Sequence, residues 1–555
     1  MNYIIYGTNR VAKDFIYIFD KLNILYLVSD GMVNTAPAQY PVYNLQYALA
    51  DTSYDKIIVC DFDKTEKIHV LNDAGLQYGK DYIYEEDFFE ELDEILIPSE
   101  KKVVVWGTGQ IARTLDDAIC GREVEFYIDS YSTEETFRDK KIVRPDEIDG
   151  WSELFVVIAV AKNKEIISQL EEKGQQKNKD FITYQKIVSL PSSMLRKTIF
   201  DRSYYDLECN TMLNHLEILH SGNTRCCCTT FVKEDLDNIF EKDVTQLWHS
   251  NLHKIMCLST ENKTFSFCDK SMCPLFVAKK KQVESVYEGV YKDMEEYPRV
   301  LALGYDSTCN LSCITCRKNL YVATGDEYEE LCSISRKVNE EYMPHVKFLI
   351  TAGDGEVFAS KAYKEVYTSS KCNPKYMRIL SNGMLFNQKN WEEFSQNKSG
   401  DIMLTVSVDA ASKETYEKIR RNGNFDILKK NMEFAAALRK SGELRYFRMN
   451  FVVQRENYKE MIPFVQWGEE LGVDEIFFTK ILNWGTYTEA EFAEISMMEA
   501  DGITPKPELK EVLAHPVMQS HIVDLGTIQY SHKIDYIDVV DNYYIWELEK
   551  RGGKL

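Results

Sequence analysis

A chain of 555 residues, 44% hydrophobic and 12% aromatic, is long enough for three or four domains with full cores. Its formal charge of −22 argues against a surface for nucleic acid or for an anionic membrane. The sequence has neither a run of about 18 apolar residues nor a basic start followed by an apolar stretch, so it predicts a cytoplasmic protein without a membrane span, and there its fourteen cysteines point to metal ligands rather than disulfides.

Residues 1–190 carry an internal repeat offset by about 100 positions. YIIYGTNRVAKDF from Tyr3 matches VVVWGTGQIARTL from Val103, and KIIVCD from Lys56 matches LFVVIAV from Leu154. Each copy reads strand, glycine turn, helix, strand and acidic residue, which predicts one small Rossmann-like domain over 1–98 and a second over 99–190. In the second copy Gly107, Gly109 and Ala112 form G-x-G-x-x-A, and Asp129 follows Gly109 by 20 residues. Such glycines let backbone amides approach a pyrophosphate, while the aspartate holds ribose hydroxyls. Asn9 stands at the corresponding middle glycine of the first copy and crowds that site. The pair resembles Rossmann modules attached to sugar-modifying enzymes, sugar O-acyltransferases and methyltransferases. That resemblance implies a nucleotide or nucleotide-sugar ligand, and a degenerate docking module is the alternative.

Residues 191–297 hold a cysteine constellation. Twelve residues separate Cys209 from Gly222, four more precede Cys227, and Cys268 and Cys273 follow a W-H-S segment at Trp248. Four thiolates saturate a [4Fe-4S] cluster or a structural zinc ion. The run Cys226, Cys227, Cys228 leaves the second ligand ambiguous, with the spacing from Gly222 favouring Cys227.

At Arg299–Arg317 a buried strand empties into a loop with Cys309, Cys313 and Cys316, spaced C-x3-C-x2-C. Three thiolates leave one iron of a cubane open to substrate. This stretch, with Asn310 after the first cysteine, resembles the radical S-adenosylmethionine (SAM) superfamily. The resemblance implies a [4Fe-4S] cluster that chelates SAM and delivers one electron to it, giving a 5′-deoxyadenosyl radical. A zinc loop is the bland alternative. The 191–297 segment resembles the SPASM module of many such enzymes, which implies one auxiliary [4Fe-4S] cluster on Cys209, Cys227, Cys268 and Cys273. It departs from that group by preceding the barrel.

From Arg299 strand and helix alternate, with strands expected near Val300–Tyr305, Val346–Thr351, Tyr376–Ser381, Ile402–Val408, Phe447–Val453 and Glu475–Lys480. Six such units match the partial (β/α)6 radical SAM barrel, expected over 298–485 with a C-terminal extension over 486–555. The whole chain therefore reads as α/β. Ligands in such barrels sit at the carboxyl ends of the strands. There Asp354, Gly355 and Glu356 resemble the family's G-G-E motif, implying contact with the SAM ammonium. Ser381–Gly383 resembles a T-N-G turn, with Asn382 as turn former. Ser407 and Asp409 resemble an S-x-D-G segment; alternation would put both side chains on one face, towards SAM or substrate, although Asp409 also suits a helix cap. Asn450 and Val452 resemble the strand that packs on adenine.

The function expected is hydrogen abstraction from an organic substrate, a nucleotide-activated sugar or glycan precursor, with electrons from a donor such as flavodoxin or ferredoxin. The rival enzyme reading is peptide modification. A reading from another class is a nucleotide-sugar-binding or redox scaffold with a vestigial barrel.

Overall fold

The protein is described from a computed structural model. The residues described are 1–528, except 9–10, 13–14, 17–18, 20–21, 30–39, 62–63, 86, 89–96, 110, 113–114, 116–117, 120–121, 161–162, 178, 185–206, 208, 230, 233–234, 262–264, 266, 269–272, 278–293, 352, 397 and 484–485. Asp30 of the first repeat, Cys120 and the tail beyond 528 lie outside them.

Three sheets organise the chain. The first contains β1 (Asn2–Tyr6), β2 (Asn23–Val28), β3 (Val42–Tyr43), β4 (Lys56–Val59) and β5 (Tyr82–Tyr84), all parallel in the order β3-β2-β1-β4-β5. The second repeats it with β6 (Lys102–Trp106), β8 (Arg122–Ile128), β10 (Lys140–Val143), β11 (Leu154–Ile158) and β12 (Phe181–Thr183), and adds β7 (Ala118–Ile119) and β9 (Thr136–Phe137) as antiparallel edges. The order reverses between β1 and β4, and again between β6 and β11, the crevice where doubly wound sheets take ligands. The repeat is therefore physical. A Cβ on Gly7 would meet the Cys60 carbonyl oxygen at 2.1 Å, and one on Gly107 the Ala159 carbonyl oxygen at 2.9 Å. Both positions need glycine so that the chain can leave one strand against its neighbour.

The third sheet runs β14-β13-β15-β16-β17-β18-β19-β20-β21. Six of its strands match the expected ones within two residues: β15 (Val300–Gly304), β16 (Phe348–Thr351), β17 (Tyr376–Ser381), β18 (Asp401–Ser407), β19 (Tyr446–Val453) and β20 (Glu475–Lys480). They pair in parallel and in chain order, joined by helices that include α1 (Gly325–Lys337), α2 (Lys361–Tyr367), α3 (Gln388–Ser395), α4 (Lys413–Ile419), α5 (Phe425–Ser441) and α6 (Met461–Leu471). The boundaries are written locally. Asp326 and Glu327 open α1 and Arg336 and Lys337 close it, as its dipole favours, and Ser360, Asn387, Ser412 and Asn424 cap α2 to α5.

Three strands of this sheet lie outside the expected barrel segment. β13 (His215–Leu219) pairs in parallel with β15, and β14 (Thr224–Arg225) folds back antiparallel on β13. β21 (Val523–Asp524) adds to β20 at the other edge. The segments expected as 191–297 and 486–555 thus share their sheet with residues 298–485.

Side chains alternate across this sheet. Leu301, Leu349, Met377, Leu404, Met449 and Phe478 pack with the helices, whereas Val300, Phe348, Tyr376, Met403 and Tyr446 gather on the inner face. Over the carboxyl ends the loops meet: the Tyr487 hydroxyl, beyond β20, donates to the Ile314 carbonyl, beyond β15, at 2.8 Å. Among the described residues no helix is long and apolar enough to cross a membrane.

Candidate functional site

The loop after β15 brings Cys309, Cys313 and Cys316 to the carboxyl ends of the strands. Cys309 and Cys313 are buried and Cys316 is exposed. Each sulfur is met by N–H donors. The Leu311 amide lies 3.4 Å from Cys309 Sγ, Arg420 Nη1 3.6 Å from Cys313 Sγ, and Arg317 Nε and Nη2 3.4 Å from Cys316 Sγ. Burial pushes the Cys309 thiol up to about 11, against the pull of Arg317, and it raises Cys313 against Arg420. Two guanidiniums and a backbone amide aimed at three thiols are the surroundings of sulfurs that carry negative charge, and that donor set fits an iron-sulfur cluster. Arg420 Nε is itself buried without a hydrogen-bond partner.

Gly355 holds this loop in place. Its φ is +71°, and a Cβ there would come within 2.4 Å of the Asp306 carbonyl oxygen and 2.7 Å of that of Thr308. Only glycine lets the turn after β16 lie on the backbone leading into the cysteines.

The two acids beside Gly355 differ. Asp354 takes Ser307 Oγ at 2.5 Å, His220 Nε2 at 3.1 Å and Arg317 Nη2 at 3.5 Å. Burial alone would raise its carboxyl, but His220, Ser307 and the Gly355 amide hold it down to about 2. Asp354 therefore ties β13's outgoing turn to the cysteine loop. Glu356 is fully buried and accepts from Ser381 Oγ at 2.8 Å and the Asn382 amide at 2.7 Å; burial pushes it up to about 7 against those donors. Asn382 is more than a turn former. Its Oδ1 does close the turn on the Met384 amide, at 3.0 Å, but its Nδ2 reaches Asn310 Oδ1 at 2.9 Å and Cys309 Sγ at 3.7 Å.

Ser407 and Asn450 sit opposite one another in register, and Asn450 shares its face with Val452, as expected. Asp409 lies beyond the end of the strand that carries Ser407. It takes the left-handed φ of 66°, which turns its carboxylate to Arg420 Nη2 at 2.6 Å and the Val452 amide at 2.8 Å. It does not cap α4, since Ser412 does.

The second constellation also gathers. Gly222 turns the hairpin between β13 and β14, and Cys226–Cys228 follow directly. Burial raises the Cys227 thiol, reinforced by the charges of Cys209, Cys228, Cys226 and Cys268. Cys273 is pushed to about 12 by burial, then by Cys209 and Cys228. Cys226 is fully buried, 3.9 Å from Met256 Sδ; its charge acts on Cys227, whereas that of Cys228 acts on both Cys227 and Cys273. Thiols that raise one another's pKa in a buried place are neutralised by a bound cationic centre, so the chemistry of this donor set fits a cluster. Among the described residues no three His, Cys, Asp or Glu side chains close on one point as a single ion requires.

In the second repeat Gly107 serves strand packing, while a Cβ on Gly109 would meet nothing within 4 Å. The Asp129 carboxylate is taken up by the glycine turn after β6 and by its own loop. Thr108 Oγ1 lies at 2.7 Å, the Thr108 amide at 3.2 Å and the Tyr131 and Ser132 amides at 2.8 Å each.

Arg317, Arg420, His220 and Ser307 were not anticipated as site residues. Arg317 adjoins Cys316 and Arg420 closes the E-x-Y-x-x-I-R segment, so a search for cations beside cysteine and acid motifs finds both.

No protein-family model matches the chain. It is 24% identical over 178 residues to a "Probable GTP 3′,8-cyclase" of Saccharolobus islandicus, a likeness covering 31% of this chain and 54% of that protein. The chain thus spans about half the length of this curated relative. Among solved structures it is similar to Streptococcus suis SuiB bound to precursor peptide SuiA, at 16% identity, covering 35% of this chain and 42% of that one with a TM-score of 0.27. It is likewise similar to native anSMEcpe with bound AdoMet, at 21% identity, 33% and 51% coverage and a TM-score of 0.25.

Proposed function

We propose that this chain is a radical SAM enzyme that abstracts hydrogen from an organic substrate, with a nucleotide-activated sugar or glycan precursor as the substrate class. The observation that carries this is the loop of Cys309, Cys313 and Cys316, placed at the carboxyl ends of parallel strands with an N–H donor on every sulfur. The likeness to the probable GTP 3′,8-cyclase supports the radical SAM part of this reading and not the substrate class.

A [4Fe-4S] cluster on those three cysteines supplies one electron for reductive SAM cleavage. The chain's own residues do the rest. Arg317 and Arg420 offset the negative charge of the ligating sulfurs, Gly355 seats the loop, and Asn382 orients Asn310 beside Cys309. Glu356 presents a buried carboxyl beside the Asn382 amide, and Ser407, Asn450 and Val452 line the neighbouring strand ends. Cys209, Cys268, Cys273 and one of Cys227 or Cys228 hold one auxiliary [4Fe-4S] cluster. The N-terminal sheets are two Rossmann-like units; with Asp129 engaged by Thr108 of the glycine turn and by its own loop, any nucleotide there rests on Gly109 and the amides beside it.

The test is iron, sulfide and 5′-deoxyadenosine on anaerobically reconstituted protein, beside a variant with Cys309, Cys313 and Cys316 changed to Ala. About eight irons with SAM cleavage, falling to about four and none in the variant, is the expected result. Absence of cleavage under strong reductant moves the chain to the scaffold reading.

A further inference from the structure

We infer that the inner face of the large sheet holds an oxyanion of the substrate, phosphoryl or carboxylate, between the guanidinium groups of Arg378 and Arg448; this deepens the radical SAM reading and rests on it.

Both arginines project from the face turned away from the helices. Arg378 stands between Met377 and Ile379, which pack outward, and its guanidinium lies 5.6 Å from the centre of the inward Phe348 ring. Arg448 stands between Phe447 and Met449, also outward, with its guanidinium 4.0 Å from the Phe477 ring centre. Thr405 is paired with Arg448 and Met403 with Arg378, so the arginines flank β18 one step apart.

Their charges are unevenly matched. Arg448 donates to Asn450 Oδ1 at 2.8 Å and lies 3.8 Å from Glu475 Oε1. Glu475 also accepts from the Tyr446 hydroxyl. Arg378 has no ion pair among the described residues, and its Nε is buried without a hydrogen-bond partner. Glu217, on the same row across the sheet, is pushed up to about 7 by burial, so it offers little fixed negative charge. Arg448 thus has the Glu475 carboxylate and the charge of Asp524 beside it, whereas Arg378 is left without an ion pair among the described residues. Burial disfavours the Arg448 cation, and the nearby Arg378 adds to that against the support of Glu475, Tyr446 and Asp524. An added anion placed against Arg378 relieves this, and a planar fork without an ion-pair partner is suited to a bidentate oxyanion.

Depth gives the site its meaning. Arg378 precedes Asn382 by four residues, so it lies ~13 Å below the cysteine loop along the strand. An anion anchored there leaves the upper part of the inner face for SAM and the body of the substrate. The diphosphate of a sugar nucleotide has the required group.

The test measures the melting temperature of full-length reconstituted protein in inorganic phosphate, in acetate and in chloride at matched ionic strength. Phosphate or acetate should raise it by a few degrees over chloride, the larger effect identifying phosphoryl or carboxylate. In Arg378→Gln and Arg448→Gln the half-effect concentration should rise about tenfold or more, and Arg378→Lys, which keeps charge without the fork, should fall between. No rise in the wild type, or an undiminished rise in Arg378→Gln, overturns the inference. Substrate-free SAM cleavage on the same samples separates the two readings: its absence in the wild type refutes radical chemistry, whereas cleavage retained in Arg378→Gln with the shift lost supports the anion site. If Arg378→Gln fails to retain iron, Arg378→Lys and Arg448→Lys carry the comparison.

Discussion

The Asp409 carboxylate and the Arg420 guanidinium are 2.6 Å apart, with side chains only 3% and 11% exposed, and the same arginine reaches Cys313. Asp409 thus acts on the cysteine loop through Arg420. Removing one partner of a buried pair strands the other, at a cost of about 3–5 kcal/mol. Asp409→Asn should lower the urea midpoint correspondingly and reduce iron retention. An Asp409 that only bound SAM would give a variant with wild-type stability and weakened SAM affinity.

Gly355→Ala should displace the backbone before Cys309, because its Cβ would overlap the Asp306 carbonyl. Gly442, the left-handed cap of α5, has nothing within 4 Å and serves as the control. Gly442→Ala should cost about 1 kcal/mol from its φ alone. Gly355→Ala should cost several times more and lose iron from the core site, read by chemical denaturation and iron content. Equal costs would mean that the close approach is not what demands glycine.

Single serine substitutions separate the three adjacent cysteines. Cys226→Ser should keep the full iron content, since its sulfur faces Met256. Loss of about four irons is expected from either Cys227→Ser or Cys228→Ser, and from Cys209→Ser, Cys268→Ser and Cys273→Ser. Iron lost from Cys226→Ser alone would reverse the assignment.

Glu217 gives the fold a pH signature. Its carboxyl titrates near 7 when folded, against an ordinary 4.5, because burial disfavours the charge. Between those values the folded chain keeps a proton that the unfolded chain has lost, so this group withdraws stability as pH rises from 4.5 to 7. Glu217→Gln should remove a term on the order of 3 kcal/mol across that window. His215, held down to about 4 by burial, works oppositely below its ordinary 6.5, so the comparison is the variant against the wild type at each pH.

The sequence made the six central strands readable because each alternates or runs apolar for five or more residues between turns. The repeat was readable because Gly7 and Gly107 meet the same steric demand. The place of His215–Leu219 was not, since five residues inside a cysteine-rich segment do not reveal which edge they join. Asp409 lies two residues past the end of its strand with a positive φ, so a two-residue period does not foretell its partners, Arg420 and the Val452 amide. Arg420 meets Cys313 across 107 positions, a contact no local pattern encodes. Asp129 has the right spacing for a ribose, but the amides of Tyr131 and Ser132 reach its carboxylate first.

The hairpin of β13 and β14 joins the two cysteine sites by backbone ladders: Cys226–Cys228 leave β14, β14 is bonded to β13, and β13 to β15, whose loop carries Cys309. Any redox groups seated on these cysteines are thereby held at one separation, as on a single rigid frame. Electron tunnelling falls off steeply with distance, so the rate of exchange between them is written into the register of two strand pairs and does not wait for domains to swing together.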